Sequence, residues 1–408
     1  MLTTFLVFLG GFFLFENVLV IHSLPDVYFL PGYGGSSLYA TVTADEYLPS
    51  TCDGAGIPIN QPIMVWWNET LMDHYPECLA DILQQSFRRI GAEDFVFEDT
   101  KGIKITTYDF GGVGGLDANT KPFFDHLVSW GYEIGKNAFG VPYDFRYGSV
   151  PALNRIGFIS EFQALVEKNF ANTQSKAIVL GHSNGGPTLY SLVAGLSNEW
   201  KEKYIAGIIP LSGNMLGQLN CYSSYFYSTN TQYQRMETSW EASFLSLPWG
   251  DYSGLNNVTV ITTYSSTKQQ TKYSPKLSDI QSLFHSVFHD DWSEKLEVLY
   301  KSAMNRSAPP MSIDIYCLYG SRLPTSYSFI FKASILDAPP VETLYMNGDD
   351  NQDSYDNEFC KTWANQPDFL SQSPKKIFQS KEFPGVHHME MISDEKVMNE
   401  IWRILQTY

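Results

Sequence analysis

The 408-residue chain carries 27 Lys and Arg against 44 Asp and Glu, a formal charge of −17. A chain so acidic repels nucleic acid and anionic membrane surfaces, so no nucleic-acid partner is expected. Hydrophobic residues make up 44% and charged residues 17%, with 30 Gly and 21 Pro close to ordinary globular usage. That balance excludes collagen, coiled coil and low-complexity chains, and the length accommodates one large or two ordinary domains.

At the N-terminus, Leu2 to Phe15 is almost wholly apolar and is interrupted by Glu16 and Asn17. The run is too short to span a bilayer and reads as a secretory signal peptide over 1–23, cleaved after about Ser23, although no Lys or Arg precedes it. An uncleaved anchor is the other reading. No later stretch approaches 18 apolar residues, so 24–408 is expected to be a soluble domain.

Short apolar runs then alternate with helical patterns. Val27–Leu30 ends at Pro31-Gly32, Ala177–Leu180 at Gly181, Ile205–Leu211 at Ser212-Gly213 and Thr343–Met346 at Asn347-Gly348. Each is apolar on both sides, as a central strand of a helix-covered parallel sheet must be. Phe158–Phe170, Pro187–Leu196 and Asp394–Leu405 carry apolar residues at helical spacing. The alternation predicts a doubly wound α/β domain. Residues 41–105, with Cys52, Trp66, Trp67 and Cys78, and residues 214–300, rich in Tyr, Ser and Asn, break it and read as insertions capping the sheet.

Five cysteines, Cys52, Cys78, Cys221, Cys317 and Cys360, are an odd number, so a secreted chain would form two disulfides and keep one thiol. Sequons at Asn68, Asn257 and Asn305 mark glycosylation sites consistent with that route.

Between a predicted strand and a predicted helix stands Gly181-His182-Ser183-Asn184-Gly185, the G-x-S-x-G pattern of a nucleophile elbow. The sharp turn pushes Ser183 out at the carboxyl edge of the sheet. A serine hydroxyl needs a base, and the base an orienting carboxylate, in the chain order Ser, Asp or Glu, His. His387 or His388, in the Pro-Gly turn after the run Ile377–Phe383, supplies the base; Asp349 or Asp350, after the run ending at Met346, supplies the carboxylate. An acyl-transfer oxyanion needs two amide donors. Asn184, directly after the nucleophile, offers one, and Tyr33, in the glycine-rich loop Leu30-Pro31-Gly32-Tyr33-Gly34-Gly35, the other.

These residues resemble the lecithin:cholesterol acyltransferase family, from about Asp26 to the C-terminus. The landmarks are LPGYGGSSLYA at 30–40, VPYDFR at 141–146, AIVLGHSNGG at 177–186, CLYGSRLPT at 317–325, LYMNGDD at 344–350 and FPGVHHMEM at 383–391. The resemblance implies an α/β-hydrolase fold, a mostly parallel sheet with cap, lid and membrane-contact insertions. It places nucleophile, acid and base on Ser183, Asp349 and His388, and the oxyanion donors on Tyr33 and Asn184. It also implies the disulfides Cys52–Cys78 and Cys317–Cys360, leaving Cys221 as the thiol.

By the same resemblance, Trp66 and Trp67 beside Ile63-Met64-Val65 form a patch touching a membrane or lipid-particle surface, against a plain core role. The stretch Tyr222–Tyr233 falls at an active-site lid, against an ordinary surface loop. The implied activity is that of a secreted or lysosomal lipid O-acyltransferase or phospholipase A, which takes an acyl group from a glycerophospholipid and passes it to a lipid alcohol or to water. No cofactor is implied. Two segments depart from the family: Ser212-Gly-Asn-Met-Leu-Gly217 replaces Ala-Pro-Trp-Gly-Gly, and Tyr108-Asp-Phe-Gly-Gly-Val-Gly-Gly-Leu-Asp117 replaces a Gly-Phe-Gly-Lys loop and the Leu-Glu-Phe-Leu-Asp segment that follows it.

A calcium loop on Asp349, Asp350, Asp353, Asp356 and Glu358 fails for want of Gly at its sixth position and Glu at its twelfth. His285 and His289 lack the glutamate of a metalloprotease helix, so no metal is expected. A thioesterase acting on lipidated proteins and a non-catalytic lipid carrier are the competing readings.

Overall fold

The structure, a computed structural model, describes residues 24–91, 95–222, 231–248, 257–264, 267–288, 293–304, 312–332, 339–350 and 376–408. Among them the central sheet runs in the spatial order Phe378–Pro384, Asp314–Ser321, Ile205–Leu211, Ala177–His182, Asp26–Leu30, Ala138–Gly140, and every neighbouring pair is parallel. Asp26–Leu30, Ala177–His182 and Ile205–Leu211 are buried along their whole length. Successive side chains leave opposite faces of a strand, so Val27, Phe29, Ile178 and Leu180 pack on one side, and Tyr28, Leu30, Val179 and Ile208 on the other. Both faces need cover. The helix Glu395–Leu405 lays Val397, Met398, Ile401, Ile404 and Leu405 on the first face, with Asp394 capping it from the Lys396 and Val397 amides at 2.8 and 3.3 Å. Phe158–Thr173 and Gly185–Ala194 cover the second.

The expectation for Thr343–Met346 requires correction. The strand exists, as Glu342–Gly348, but it pairs antiparallel with Leu323–Ile330 in a separate four-stranded sheet with Gln270–Tyr273 and Ile261–Tyr264. It lies at the edge and is mostly half-exposed, Tyr345 reaching 62%. A short apolar run bounded by turn residues does not distinguish an edge strand from a central one. The central position belongs to Asp314–Ser321, buried throughout, whose sequence DIYCLYGS carries the aromatic and β-branched side chains that favour strands. Ala138–Gly140, only three residues long, offers no pattern to read.

Residues 41–105 hold the end of the strand Leu38–Val42, which pairs with Ile63–Trp66 and Ile103–Thr107, followed by the helices Glu69–His74 and Pro76–Leu83 and the hairpin Gln85–Arg89/Phe95–Asp99. Residues 214–300 hold the helices Thr231–Glu237, Glu241–Leu245, Leu277–Phe288 and Ser293–Met304, with two strands of the small sheet. The fully buried Arg146 ties the first of these regions to the body. Its guanidinium contacts Asp99 at 2.7 Å and Asp144 at 2.6 Å and donates to the Leu83 carbonyl at 3.1 Å. The Trp240 indole donates to the same carbonyl at 2.7 Å, so both regions meet over the VPYDFR segment.

Candidate active site

The elbow is built as its glycines require. Ser183 has φ +55°, its amide donates to the Leu211 carbonyl and its carbonyl accepts from the Gly186 amide. A Cβ at Gly185 would sit 2.6 Å from the Leu30 and Pro31 carbonyl oxygens, so a side chain there would separate the helix from the first strand. At Gly32 a Cβ would lie 2.9 Å from the Ser183 Cβ, which fixes the glycine-rich loop against the serine.

The structure separates the two Asp and His candidates. Asp349 is fully buried and accepts from His388 Nδ1 at 3.0 Å, and its carbonyl accepts from the His388 amide at 2.9 Å. His388 is 3% exposed and its Nε2 has no hydrogen-bond partner among the described residues. Asp350 and His387 face outward, 3.5 Å apart and both exposed. Asp349 reaches this position although its strand lies outside the central sheet. Leu323 pairs with Gly348, and Leu323 follows directly on the central strand ending at Ser321, so the hairpin delivers the carboxylate to the carboxyl edge of that sheet.

His182, a position that the reading of the sequence passed over, supports His388 from behind. Its Nε2–H donates to the His388 carbonyl at 3.0 Å and the two rings lie 4.9 Å apart. Burial, reinforced by the neighbouring imidazole, pushes His182 down to about 3, so it stays neutral and able to hold that bond. Its variable place in G-x-S-x-G was the available signal.

Ser183 and His388 open into one cavity of about 780 Å³, shared with Tyr33, Asn184, Trp66 and Glu237. The serine–histidine hydrogen bond is not formed in this state, as is common before substrate binds. The Tyr33 and Asn184 amides donate to no carbonyl among the described residues. Trp66 Nε1 donates to the Gly34 carbonyl at 2.9 Å and so holds the loop that carries Tyr33. The Tyr33 hydroxyl reaches Ser243 Oγ at 3.4 Å, and burial, then the Glu237 carboxyl, raises its pKa well above the ordinary tyrosine range. Glu237 itself is pushed up to about 7 by desolvation.

The two tryptophans divide. Trp66 is buried behind the loop while Trp67 is 54% exposed, so of the pair only Trp67 is placed to touch a surface. Cys52 and Cys78 form a disulfide closing a 26-residue separation. Cys317 is also disulfide-bonded, and Cys360 lies outside the described residues. Cys221 keeps a thiol, buried at the cavity wall. Asn68 is half-buried, its amide caps the helix Glu69–His74 and donates to the Met64 carbonyl, and Asn257 is exposed. Asn305, Asp353, Asp356, Glu358, His289, the segment 223–230 and residues 1–23 lie outside the described residues. Among the described residues no helix is long and apolar enough to cross a membrane, and no group of three metal-ligating side chains occurs.

A parallel sheet covered by helices on both faces, with a serine elbow on a central strand and a late histidine beside it, is an α/β-hydrolase fold. Residues 104–246 and 252–395 match the family model described as lecithin:cholesterol acyltransferase, and the chain belongs to that family. It is 24% identical to the phosphatidylcholine-sterol acyltransferase of Gallus gallus over 91% of this chain and 88% of that protein. It is 23% identical to the lysosomal phospholipase A and acyltransferase of Rattus norvegicus over 93% of this chain and 90% of that protein. Among solved structures, the mature lipase BlEst2 of Bacillus licheniformis aligns over 94% of this chain and 92% of its own with TM-score 0.35 and 8% identity.

Proposed function

We propose that the protein is a serine acyl hydrolase or O-acyltransferase of glycerophospholipids. The carrying observation is the buried Asp349–His388 pair, whose Nε2 is left without a partner among the described residues in the cavity that also holds the left-handed Ser183. In this reading Ser183 Oγ attacks the ester carbonyl and its proton passes to His388 Nε2, the imidazolium being held by Asp349. The Tyr33 and Asn184 amides stabilise the oxyanion. The ester C–O bond breaks, the lysophospholipid oxygen takes the proton from His388, and an acyl-serine remains. A lipid alcohol, or water, then gives its proton to His388 and attacks, forming a new ester, or a fatty acid, and returning Ser183. Family membership and the activities named for the similar chicken and rat proteins support this substrate class.

Exposed Trp67, inside the Cys52–Cys78 loop, would rest at a membrane or lipid-particle surface, where an indole is favoured. Residues 41–105 and 214–300 would act as membrane-contact and lid insertions, within a domain over 24–408 that follows a signal peptide. Cys360 would be the partner of Cys317, Asn257 would be an exposed glycan acceptor, and secretion or lysosomal delivery completes the proposal.

The test uses purified protein on phosphatidylcholine liposomes containing a lipid alcohol, with free fatty acid and new ester followed by mass spectrometry. Product that vanishes in Ser183→Ala is expected. Equal product from the variant would remove Ser183 from the chemistry, and no product from either would remove phosphatidylcholine as substrate.

A further inference from the structure

Beside the nucleophile, the cavity wall contains polar atoms that the protein itself does not satisfy. Asn214 is 2% exposed, yet among the described residues its Oδ1 has no hydrogen-bond partner, and neither have Gln218 Oε1 and Asn184 Nδ2. All three side chains line the cavity that holds Ser183 and His388. The Tyr143 hydroxyl lies near the Asn184 amide without completing a hydrogen bond to it, and donates instead to the Pro31 carbonyl at 3.1 Å. Ser246 Oγ, between the two asparagines at 3.3 and 3.4 Å, directs its own proton to the Ala242 carbonyl at 2.9 Å. The loop is held in register by the Gln218 amide, which donates to the Ser246 carbonyl.

A buried amide oxygen or N–H without a partner is destabilising, so a wall with two such oxygens and one such N–H marks a place where a ligand supplies the partners. The surroundings select the ligand's chemistry. The three groups are neutral dipoles and themselves offer a charged ligand group no counter-ion, while Trp66, Met72 and Ile392 add apolar surface to a wall whose carboxyls are Asp117 and Glu237. Two acceptors and one donor suit a neutral group that both donates and accepts. An aliphatic hydroxyl does both, and it can displace ordered water without losing hydrogen bonds.

We infer that Asn214 and Gln218, with Asn184, form a subsite for a lipid hydroxyl adjacent to the scissile ester. The subsite rests on the reading of Ser183 as an acyl-transferring nucleophile and adds to it a preference among substrates. The hydroxyl can come from the second alcohol group of a glyceride-type acceptor or from a hydroxylated acyl chain.

The test measures acyl transfer from dioleoyl phosphatidylcholine vesicles to 1-O-hexadecylglycerol against hexadecanol, and in parallel hydrolysis of 12-hydroxyoleoyl against oleoyl phosphatidylcholine. Wild type should favour the hydroxylated member of one pair. Asn214→Leu and Gln218→Leu should each shrink that preference about tenfold, the size of one hydrogen bond. The pair that responds identifies the source of the hydroxyl. Each variant's Tm should fall by no more than the loss of one weak hydrogen bond such as Asn214 Nδ2–Ser246 Oγ, because the apolar side chain also removes an unsatisfied group; a merely structural role would lower it further. Labelling of Ser183 by a fluorophosphonate confirms a folded site in each variant. Retained labelling and activity with both preferences unmoved in the two variants would overturn the subsite. Absence of Ser183-dependent product in wild type would instead overturn the underlying function.

Discussion

The two ends of the catalytic constellation rest on different kinds of structure. Ser183 leaves a strand buried along its whole length between two parallel neighbours. Asp349 leaves an edge strand of a separate mixed sheet, half-exposed until its last residue. Both deliver their side chain to the same sheet edge, Asp349 fully buried and Ser183 half-buried where the cavity opens. On the serine side, packing on both faces holds the residue. On the acid side, the hairpin continues from a central strand through Arg322, so position is inherited across one turn. A catalytic residue therefore needs a rigid connection to the core more than a place within it.

The largest effect is expected at the acid. Asp349→Asn is expected to lower kcat about 10⁴-fold by disturbing the His388 tautomer, while Asp350→Asn, facing outward, should stay within a few-fold. Steady-state kinetics on one ester substrate checks both, and an equal loss in the two variants would break the distinction between the inner and outer pairs.

A smaller effect is expected where the cap is anchored. Arg146→Ala leaves Asp99 and Asp144 without their buried cation and should cost about 3–5 kcal/mol in denaturant unfolding. A loss below about 1 kcal/mol, the scale of an exposed ion pair, would show that Arg146 does not join the regions.

The smallest effect concerns pH. Burial raises the Glu237 carboxyl from 4.5 to about 7, so in the folded state it favours the protonated form. Its contribution to stability is full below the unfolded value of 4.5 and is lost as pH rises through about 7. Glu237→Gln should therefore flatten the fall in Tm between those values. An unchanged Tm profile in the variant would show that Glu237 is not the group responsible.

How much of this could be read from the sequence follows the same division. The strands before Pro31 and Gly181 and the run Ile205–Leu211 were legible because continuous apolar burial leaves a continuous apolar run. The elbow was legible because its glycines are sterically required. The placement of Thr343–Met346 was misread because an edge strand and a central strand of this length look alike, and the residue order Ser, Asp, His survived the error because chain order does not depend on which sheet carries the acid. The residues by themselves leave Asp349 and Asp350, and His387 and His388, open, because adjacent identical residues do not encode burial; the family resemblance singles out Asp349 and His388, the buried member of each pair. The support from His182 and the orphaned amide oxygen of Asn214 arise from contacts between segments more than 150 residues apart and from a missing partner, neither of which has a periodic trace.

The most direct measurement of the central claim is the site of covalent labelling by a fluorophosphonate, read by peptide mass spectrometry in wild type, Ser183→Ala and His388→Ala. The account expects one adduct, on Ser183, absent in the serine variant and formed at least a hundredfold more slowly in the histidine variant, consistent with the loss of a general base. An adduct on another residue, or labelling of Ser183 at an undiminished rate without His388, would contradict it.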